Sequence, residues 1–562
     1  MAPLDMVTIT RVYLAILRYV APSIAFFLLL RCALPLLTFR RKPEIWGWLI
    51  RTDGQKLPIT HWENLIGRSR RCDVIIPLPS VSRNHCVLCR YDDGSWSITD
   101  TNSHNGIRVN GEEVFTQELL EGDLLEIGEE CLRFLPASGA QEQTLASLRP
   151  PASSMTSSFA NLLLLTAFQA LCCVGYLLAG TTRPQDVLLG WGGIMVLQWS
   201  LLIFNFVIRR PAFEAETLAF LLCSMGMAVI SSVAPQESIK QLIAITLGVG
   251  LFLVLGWSLR DLERAKKIRY LAAILGMALL IITLLFGETY YGAKNWLNVY
   301  GFSIQPSELT KLCFVYVGAS TMDRLLQRRN IVLFIAYTVA LCGFLALMND
   351  FGTALVFFTA FLIIAYLRSG SLGTIALSCT ALIFAAVIGL QIAPHALRRL
   401  SIWRNIWSDP LGAGYQQTRS LMCIASGGLF GLGIGRGKMK YLFAADSDVV
   451  FATVSEEWGI AMMVILILVI VVLALFSVRC ALVSRSSFFA IAGCTASGIL
   501  LVQTIFNVLG TLDILPLTGV TFPFLSNGGS SMLCVWGLLA YIKAADTRAF
   551  GSFAVRLTRK ER

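Results

Sequence analysis

Charge is scarce in this chain. Of its 562 residues, 14% are Asp, Glu, Lys or Arg, while 56% are hydrophobic. A soluble core cannot hide that much apolar surface, so an ordinary globular protein is excluded and a polytopic membrane protein is implied. Histidine is rarer still. His61, His85, His104 and His395 are the whole set, and none lies in an apolar run, which argues against a histidine metal site within the membrane. The fifteen cysteines do not fill that gap. Most sit singly in apolar runs, like Cys342 and Cys494, and read with Cys172-Cys173 as small packing residues. Cys86 and Cys89 make a CxxC by spacing alone, in a strand-like CVLC with no second pair, so packing is the better reading than zinc. Gly437-Lys438 lacks the Ser or Thr of a phosphate loop, and no nucleotide is expected. The net charge of +11 is not a nucleic-acid signal, because Lys and Arg fall in short patches between apolar runs.

What is present is a series of those runs. Residues 12–38 are long enough to span and meet Arg40-Arg41-Lys42. No small-residue cleavage site is evident, so residues 1–42 read as a retained anchor, with residue 43 onward on the cytoplasmic side. Residues 43–137 change character: short alternating runs separated by Asp93-Gly94 and Asn110-Gly111 turns predict a small all-β sandwich. Residues 138–157 are small and polar, hence a linker. Spans are then expected at 159–180, 187–208, 214–234, 241–259, 270–287, 307–321, 331–348, 352–368, 373–393, 450–476, 487–513 and 520–544, thirteen with the anchor. Basic loops at Arg209-Arg210, Arg260–Arg269, Arg324–Arg329, Arg368 and Arg479–Arg485 fall on one side with the basic tail 546–562, which is therefore cytoplasmic. The segment 394–449 falls outside. It is the longest polar interruption in this part of the chain, and its external positive charge suggests an anionic substrate.

In the sandwich, Gly67-Arg68 is followed by Ser82-Arg83-Asn84-His85 and Asn105-Gly106. This order resembles the forkhead-associated (FHA) domain. The resemblance implies phosphothreonine capture by Arg68 and Ser82, with Asn105 on the peptide backbone, Arg83 and Asn102 nearby, and His85 supporting the scaffold. The partner would be a phosphothreonine protein or a serine/threonine kinase. The alternative is a sandwich that keeps the scaffold without the binding.

In the membrane part, Pro306 suits the first turn of a helix, Glu308 favours its N-terminus, and Lys311 lies three residues on, on the same face. Helix capping with an ion pair would explain them. Charges at that depth are costly, however, and make functional candidates. Asp409-Pro410 opens a turn at the centre of the external segment. Asp350 reads either as a helix cap or as a cavity group. Asp448 and Glu456 read as structural or cavity-lining.

These stretches resemble the SEDS family (shape, elongation, division and sporulation) of RodA/FtsW-type proteins. The matching runs are Gly292-Ala293…Trp296 with Gln305–Lys311, Asp350–Ala354, Arg398-Arg399 with Asp409–Gln416, Ser426–Gly435, Asp448 with Glu456–Gly459, and Pro516–Ser531. They cover about 214–545 as a ten-helix core, and leave the anchor and the two spans of 158–213 as extra. The fold class implied is a polytopic α-helical membrane protein with a cytoplasmic all-β FHA sandwich. Departures are Asn295 for the family's Arg before Trp296, Asn349 for Pro, Arg419 for Gln and Asn527 for Tyr.

The resemblance implies polymerisation of lipid II into peptidoglycan glycan in a bacterial plasma membrane, for elongation, division or sporulation. Asp409 would be the general base for the acceptor hydroxyl, or the ligand of a Mg or Mn ion that activates it. Lys294, Arg398, Arg399 and Lys438 or Lys440 would face the departing pyrophosphate, with Arg404 and Arg419 as looser candidates. Glu308, Lys311, Asp350, Tyr415, Gln416, Ser526 and Ser530 would contact substrate. The working partner would be a class B penicillin-binding protein, since the chain carries no S-x-x-K transpeptidase module. Lipid II flipping and a phosphorylation-sensing scaffold are the competing readings.

Overall fold

The computed structural model describes residues 6–39, 45–70, 72–91, 94–138, 152–260, 262–290, 293–299, 302–322, 328–369, 372–392, 397, 400–484, 486–548 and 551. The β unit comprises β1 (Gly47–Arg51), β2 (Lys56–Ile59), β3 (Glu63–Gly67), β4 (Val74–Ile75), β5 (Cys86–Arg90), β6 (Trp96–Asp100), β7 (Ile107–Val109), β8 (Glu112–Val114), β9 (Thr116–Leu119), β10 (Leu124–Ile127) and β11 (Glu130–Pro136). They form two facing sheets, ordered β2-β1-β11-β10-β7-β8 and β4-β3-β5-β6-β9. Period-2 alternation sends Leu49, Ile66, Leu88, Ile98, Leu125 and Phe134 into one shared core. Cys86 is buried in that core, which is the packing role its sequence context suggested.

The helices are α1 (Met6–Leu37), α2 (Met155–Leu178), α3 (Pro184–Val207), α4 (Glu214–Val233), α5 (Ser238–Ser258), α6 (Leu262–Phe286), α7 (Pro306–Met322), α8 (Arg328–Leu347), α9 (Phe351–Ser369), α10 (Leu372–Ile392), α11 (Tyr415–Gly427), α12 (Val450–Ala481), α13 (Ser487–Thr511) and α14 (Gly529–Ala544). Among the described residues, nine helices are long and apolar enough to cross a membrane, and three shorter apolar ones accompany them. With α7, these account for the thirteen expected spans. The span expected from residue 520 begins instead at Gly529. Phe524 takes a positive φ, and Phe522 N–H bonds the Ser526 hydroxyl in place of a helical carbonyl. Before α7 lies a small three-stranded sheet of β12 (Glu288–Tyr290), β13 (Ala293–Val299) and β14 (Phe302–Ile304).

α4 is buried at nearly every position and forms the centre of the bundle. α1 and α2 pack on α4 and on each other, α1 also lies along α12, and α3 lies along α5. Between α2 and α3 the buried amides of Gln169 and Gln198 bond each other in both directions (2.9 and 2.8 Å), and Gln169 also bonds Ser224 of α4. In an apolar environment such satisfied polar pairs hold helices together.

α13 sets the polarity of the molecule. At its first residue, the Ser487 hydroxyl bonds Glu63 of β3. At its last turn, Gln417 of the long polar segment donates to Gly510 O (3.3 Å). The sandwich and that segment therefore lie at opposite ends of a 25-residue helix, about 37 Å apart. β3 runs from Glu63, at that contact, to Gly67, next to Arg68.

Candidate active site

Asp409 is exposed, and its carboxylate closes a turn on itself. Oδ1 accepts from Gly412 N–H (3.0 Å) and Oδ2 from Ala413 N–H (2.9 Å). A Cβ on Gly412 would stand 2.2 Å from Oδ2, and one on Gly414 would stand 2.3 Å from Ile406 O. Only glycine fits at both places, so the sequence Asp409-Pro410-Leu411-Gly412-Ala413-Gly414 dictates the turn. Each oxygen keeps acceptor capacity beyond its one backbone bond, and solvent reaches it.

α11 comes directly after the turn and carries Tyr415, which is exposed, and Gln416, which is half-buried. The Arg419 guanidinium lies over the Tyr415 ring at 5.3 Å, and Gln416 donates to Phe443 O (3.3 Å). Gln417, which sequence reasoning did not single out, anchors the turn by reaching Gly510 O and Asp513 (both 3.3 Å). Trp403 Nε1 donates to Ile514 O (3.2 Å) and Arg404 N–H to Asp513 (3.3 Å). Arg398 and Arg399 lie outside the described residues.

A second polar cluster gathers at the N-termini of α7, α9 and α14. Asp350 caps α9 through Thr353 N–H (3.1 Å), and its other oxygen accepts from Asn295 of β13 (3.1 Å) and Gln305 (3.2 Å). Lys311 pairs with Glu308 at 2.7 Å, and both are almost fully buried. Asn295 Oδ1, Ser307 Oγ and Glu308 Oε2 are buried with no N–H or O–H partner among the described residues. Buried polar atoms of this kind are rare unless something else serves them, which marks a polar cavity. Ser530 joins the cluster by accepting from Gln305 N–H (3.1 Å).

Two of the expected substrate contacts are occupied within the protein. Lys294 donates to Leu284 O (2.7 Å) and Leu285 O (3.4 Å), capping the C-terminal carbonyls of α6. Ser526 accepts from Phe522 N–H (2.9 Å) and spends its own proton on Ser447 O (2.7 Å).

The motifs converge at one end of the bundle. A Cβ on Gly352 would stand 2.8 Å from Thr518 O. Asn507 bonds Asp448 O and Val520 O (both 2.9 Å), and Asn527 bonds Asp446 through both backbone and side chain (2.7 Å each). The glycine-rich segment is packed onto a break in α12. Gly459 has φ 84° and ψ 165°, which frees the carbonyls of Glu456 and Glu457 and the amides of Ile460 and Ala461. Leu432 and Gly433 N–H bond those carbonyls (2.9 and 3.0 Å), while the two amides bond Gly428 O and Leu429 O (both 3.1 Å). The glycines thus serve close backbone approach.

In the sandwich, a Cβ on Gly67 would stand 2.5 Å from Arg83 O, which makes Gly67 obligatory. His85 is fully buried. Its Nδ1 accepts from Ser82 N–H (3.0 Å), so its Nε2–H donates to Gly106 O (2.9 Å), tying the second and third loops together. The Ser82 hydroxyl accepts from His104 N–H (3.0 Å), which leaves its proton free to donate. Asn105 donates to Ser80 O (2.7 Å). Arg68, Arg83 and Asn105 are exposed around Ser82.

Fold and site together define a multi-pass membrane protein with a carboxylate-bearing polar segment at one end and a β sandwich of phosphate-binding design at the other. The family model for FtsW, RodA and SpoVE, described as "Cell cycle protein", matches residues 214–549. The FHA domain model matches residues 64–128. The chain belongs to the FtsW, RodA and SpoVE family. It is 33% identical to the probable peptidoglycan glycosyltransferase FtsW of Tolumonas auensis over 372 residues, covering 61% of this chain and 94% of that one. It is 31% identical to the stage V sporulation protein E of Bacillus subtilis over 277 residues, 45% of this chain and 72% of that one. A solved chain of a peptidoglycan synthase complex that coordinates polymerization and crosslinking is 25% identical, with TM-score 0.50 over 59% of this chain and 96% of that one. α1, α2 and α3 lie before the matched residues.

Proposed function

We propose that the chain is a peptidoglycan glycosyltransferase that polymerises lipid II into glycan at the outer face of a bacterial plasma membrane. The observation that carries this reading is the exposed Asp409 carboxylate, fixed by two backbone N–H groups in a turn that only glycines allow, within a family whose relatives are named for that activity. Asp409 accepts the proton of the acceptor's 4-hydroxyl as that oxygen attacks C1 of the donor sugar. The C1–O bond to the undecaprenyl pyrophosphate breaks, and the pyrophosphate leaves with the electron pair. Arg398 and Arg399, with Arg404 and Arg419 exposed on the same segment, neutralise it. Lys294 and Ser526 serve first inside the protein, through the hydrogen bonds described above, with one N–H of Lys294 and one lone pair of Ser526 left over for substrate. The Glu308, Lys311 and Asp350 cluster binds polar parts of the substrate.

Among the described residues, no three His, Cys, Asp or Glu side chains gather around a point. A Mg²⁺ or Mn²⁺ ion would be held on the protein side by Asp409, whose exposed carboxylate is a donor of the right kind, since Mg²⁺ commonly binds through one or two carboxylates plus substrate phosphates. Such an ion would supply charge neutralisation at the leaving group.

The working partner is a class B penicillin-binding protein that crosslinks the product. The Arg68, Ser82, Arg83 and Asn105 loops bind a phosphothreonine segment of another protein in the cytoplasm. The free Ser82 proton and the two guanidinium groups supply charge-assisted bonds to the phosphate.

The test is to give the purified full chain, with its transpeptidase partner, fluorescent lipid II and to look for a muramidase-sensitive glycan ladder. A ladder supports the reading. Transport of lipid II across vesicles with no ladder overturns it in favour of a flippase.

A further inference from the structure

The helices before residue 214 grip the glycine-rich segment beyond α11. The Tyr19 ring of α1 lies against Phe430 at 5.0 Å. On α2, a Cβ at Gly175 would stand 2.7 Å from both Ile434 Cδ1 and Leu17 Cδ2, and Ala179 just beyond α2 faces Gly435. Next to Gly175, Tyr176 is 2% exposed and turns its hydroxyl to Glu457, which is 3% exposed. The Tyr176 hydroxyl lies 3.5 Å from Glu457 Oε2 and accepts from Trp458 Nε1 (3.3 Å). Ser232 of α4 donates to the other Glu457 oxygen (2.5 Å). The Tyr176 ring also stacks on Trp191 of α3 at 6.4 Å.

Glu457 sits at the break in α12, next to the carbonyls and amides that hold residues 428–433. On the neighbouring residue, Glu456 Oε2 accepts from Met439 N–H (2.8 Å), fixing the far end of the same segment. Residue 428 comes directly after α11, and α11 directly after the Asp409 turn, with Gly414 N–H bonded to Asp409 O (3.0 Å). A side-chain contact from Tyr176 to Glu457, then backbone contacts through residues 428–433 and α11, therefore link Tyr176 to the Asp409 turn.

We infer that α1 and α2 form a clasp that holds the catalytic segment, and that Tyr176 is a positioning residue for glycan polymerisation, acting through Glu457. This rests on the glycosyltransferase reading of Asp409. Tyr176→Phe removes one of the donors that hold the buried Glu457 carboxylate beside the break in α12, so the carboxylate and the backbone next to it are held less firmly. Small displacements of a positioned catalytic group reduce the rate of chemistry more than they reduce substrate affinity.

The experiment compares wild type, Tyr176→Phe, Gly175→Ala and Asp409→Ala in lipid II polymerisation, with KM, kcat and thermal unfolding measured on each. Tyr176→Phe keeps the ring and the fold. The expected result is a fall in kcat of about ten-fold with KM within about two-fold of wild type, and a fall in Tm too small to account for the lost rate. Gly175→Ala, which wedges α2 from Ile434, should show the same split, and Tyr176→Phe/Glu457→Gln should regain part of the lost kcat. Wild-type kcat in Tyr176→Phe overturns the inference, and so does a loss of activity that only tracks a lowered Tm. An inactive wild type would instead count against the glycosyltransferase reading itself, with Tyr176→Phe then indistinguishable from it.

Discussion

At the scale of the residue, most of the chemistry rests on where one carboxylate is held. Asp409 is pinned by Gly412 N–H and Ala413 N–H, and Gly412 has no room for a side chain against it. Gly412→Ala should therefore reduce polymerisation by about a hundred-fold, the scale of a misplaced catalytic group, with little change in thermal unfolding. Steady-state kinetics on lipid II beside a melting curve check this. In the sandwich, Ser82→Ala removes one charge-assisted bond, worth about 1.5–3 kcal/mol, so phosphothreonine-peptide affinity should fall about ten- to a hundred-fold. Calorimetry with the phosphorylated and plain peptides measures it, and unchanged affinity would remove Ser82 from the site. Asp409 and Ser82 were legible in the sequence because their immediate neighbours build their setting. Ser526 and Lys294 were not. The Ser526 hydroxyl is spent on a carbonyl 79 residues away, and Lys294 on the end of a helix whose packing against β13 no local pattern encodes.

At the scale of the element, the thirteen spans could be read from apolar length alone. The break in α12 could not, because the groups that Gly459 frees find their partners about thirty residues earlier, in residues 428–433. The strands at 288–304 left a clearer signal in Tyr290, Trp296, Val299 and Ile304, whose aromatic and β-branched character suits strands. Gly431 has φ +79°, and a Cβ there would stand 2.1 Å from Glu457 O. Gly431→Ala should cost more than about 1 kcal/mol, from φ strain and the lost approach together. It should lower both Tm and polymerisation, whereas a change at Gly433, where a Cβ meets nothing within 4 Å, carries only the strain of its φ.

At the scale of the whole molecule, the end nearest the sandwich is locked by buried charge. Lys543 bonds Glu216 (3.1 Å) and Ala212 O (2.7 Å), while Arg548 bridges Glu214 (3.2 Å) and Asp546 (2.8 Å). This joins the start of α4 to the residues after α14. Arg548→Ala would leave two buried carboxylates uncompensated, and should cost about 3–5 kcal/mol, read as a lowered unfolding temperature in detergent. Burial works to raise the Asp546 carboxyl, but the Arg548 guanidinium outweighs it and holds the group below the usual carboxylate range. Its contribution is therefore fully present above the ordinary Asp pKa, about 4, and is lost only as pH falls through the lowered value. Between pH 7 and pH 5, Asp546→Asn should lower Tm by the same amount at either pH. The architecture is two-ended, with the FHA sandwich at one end of α13 and the Asp409 segment about 37 Å off at the other. The two units were legible in the sequence as a change of composition, while the contacts that join them, such as Glu63 with Ser487, depend on the folded chain. The central claim is that this molecule makes glycan through Asp409. Lipid II polymerisation by purified wild type and Asp409→Ala, each shown to be folded by its melting curve, tests it most directly. A glycan ladder from wild type and none from the variant is the predicted result. Equal ladders from both would contradict it.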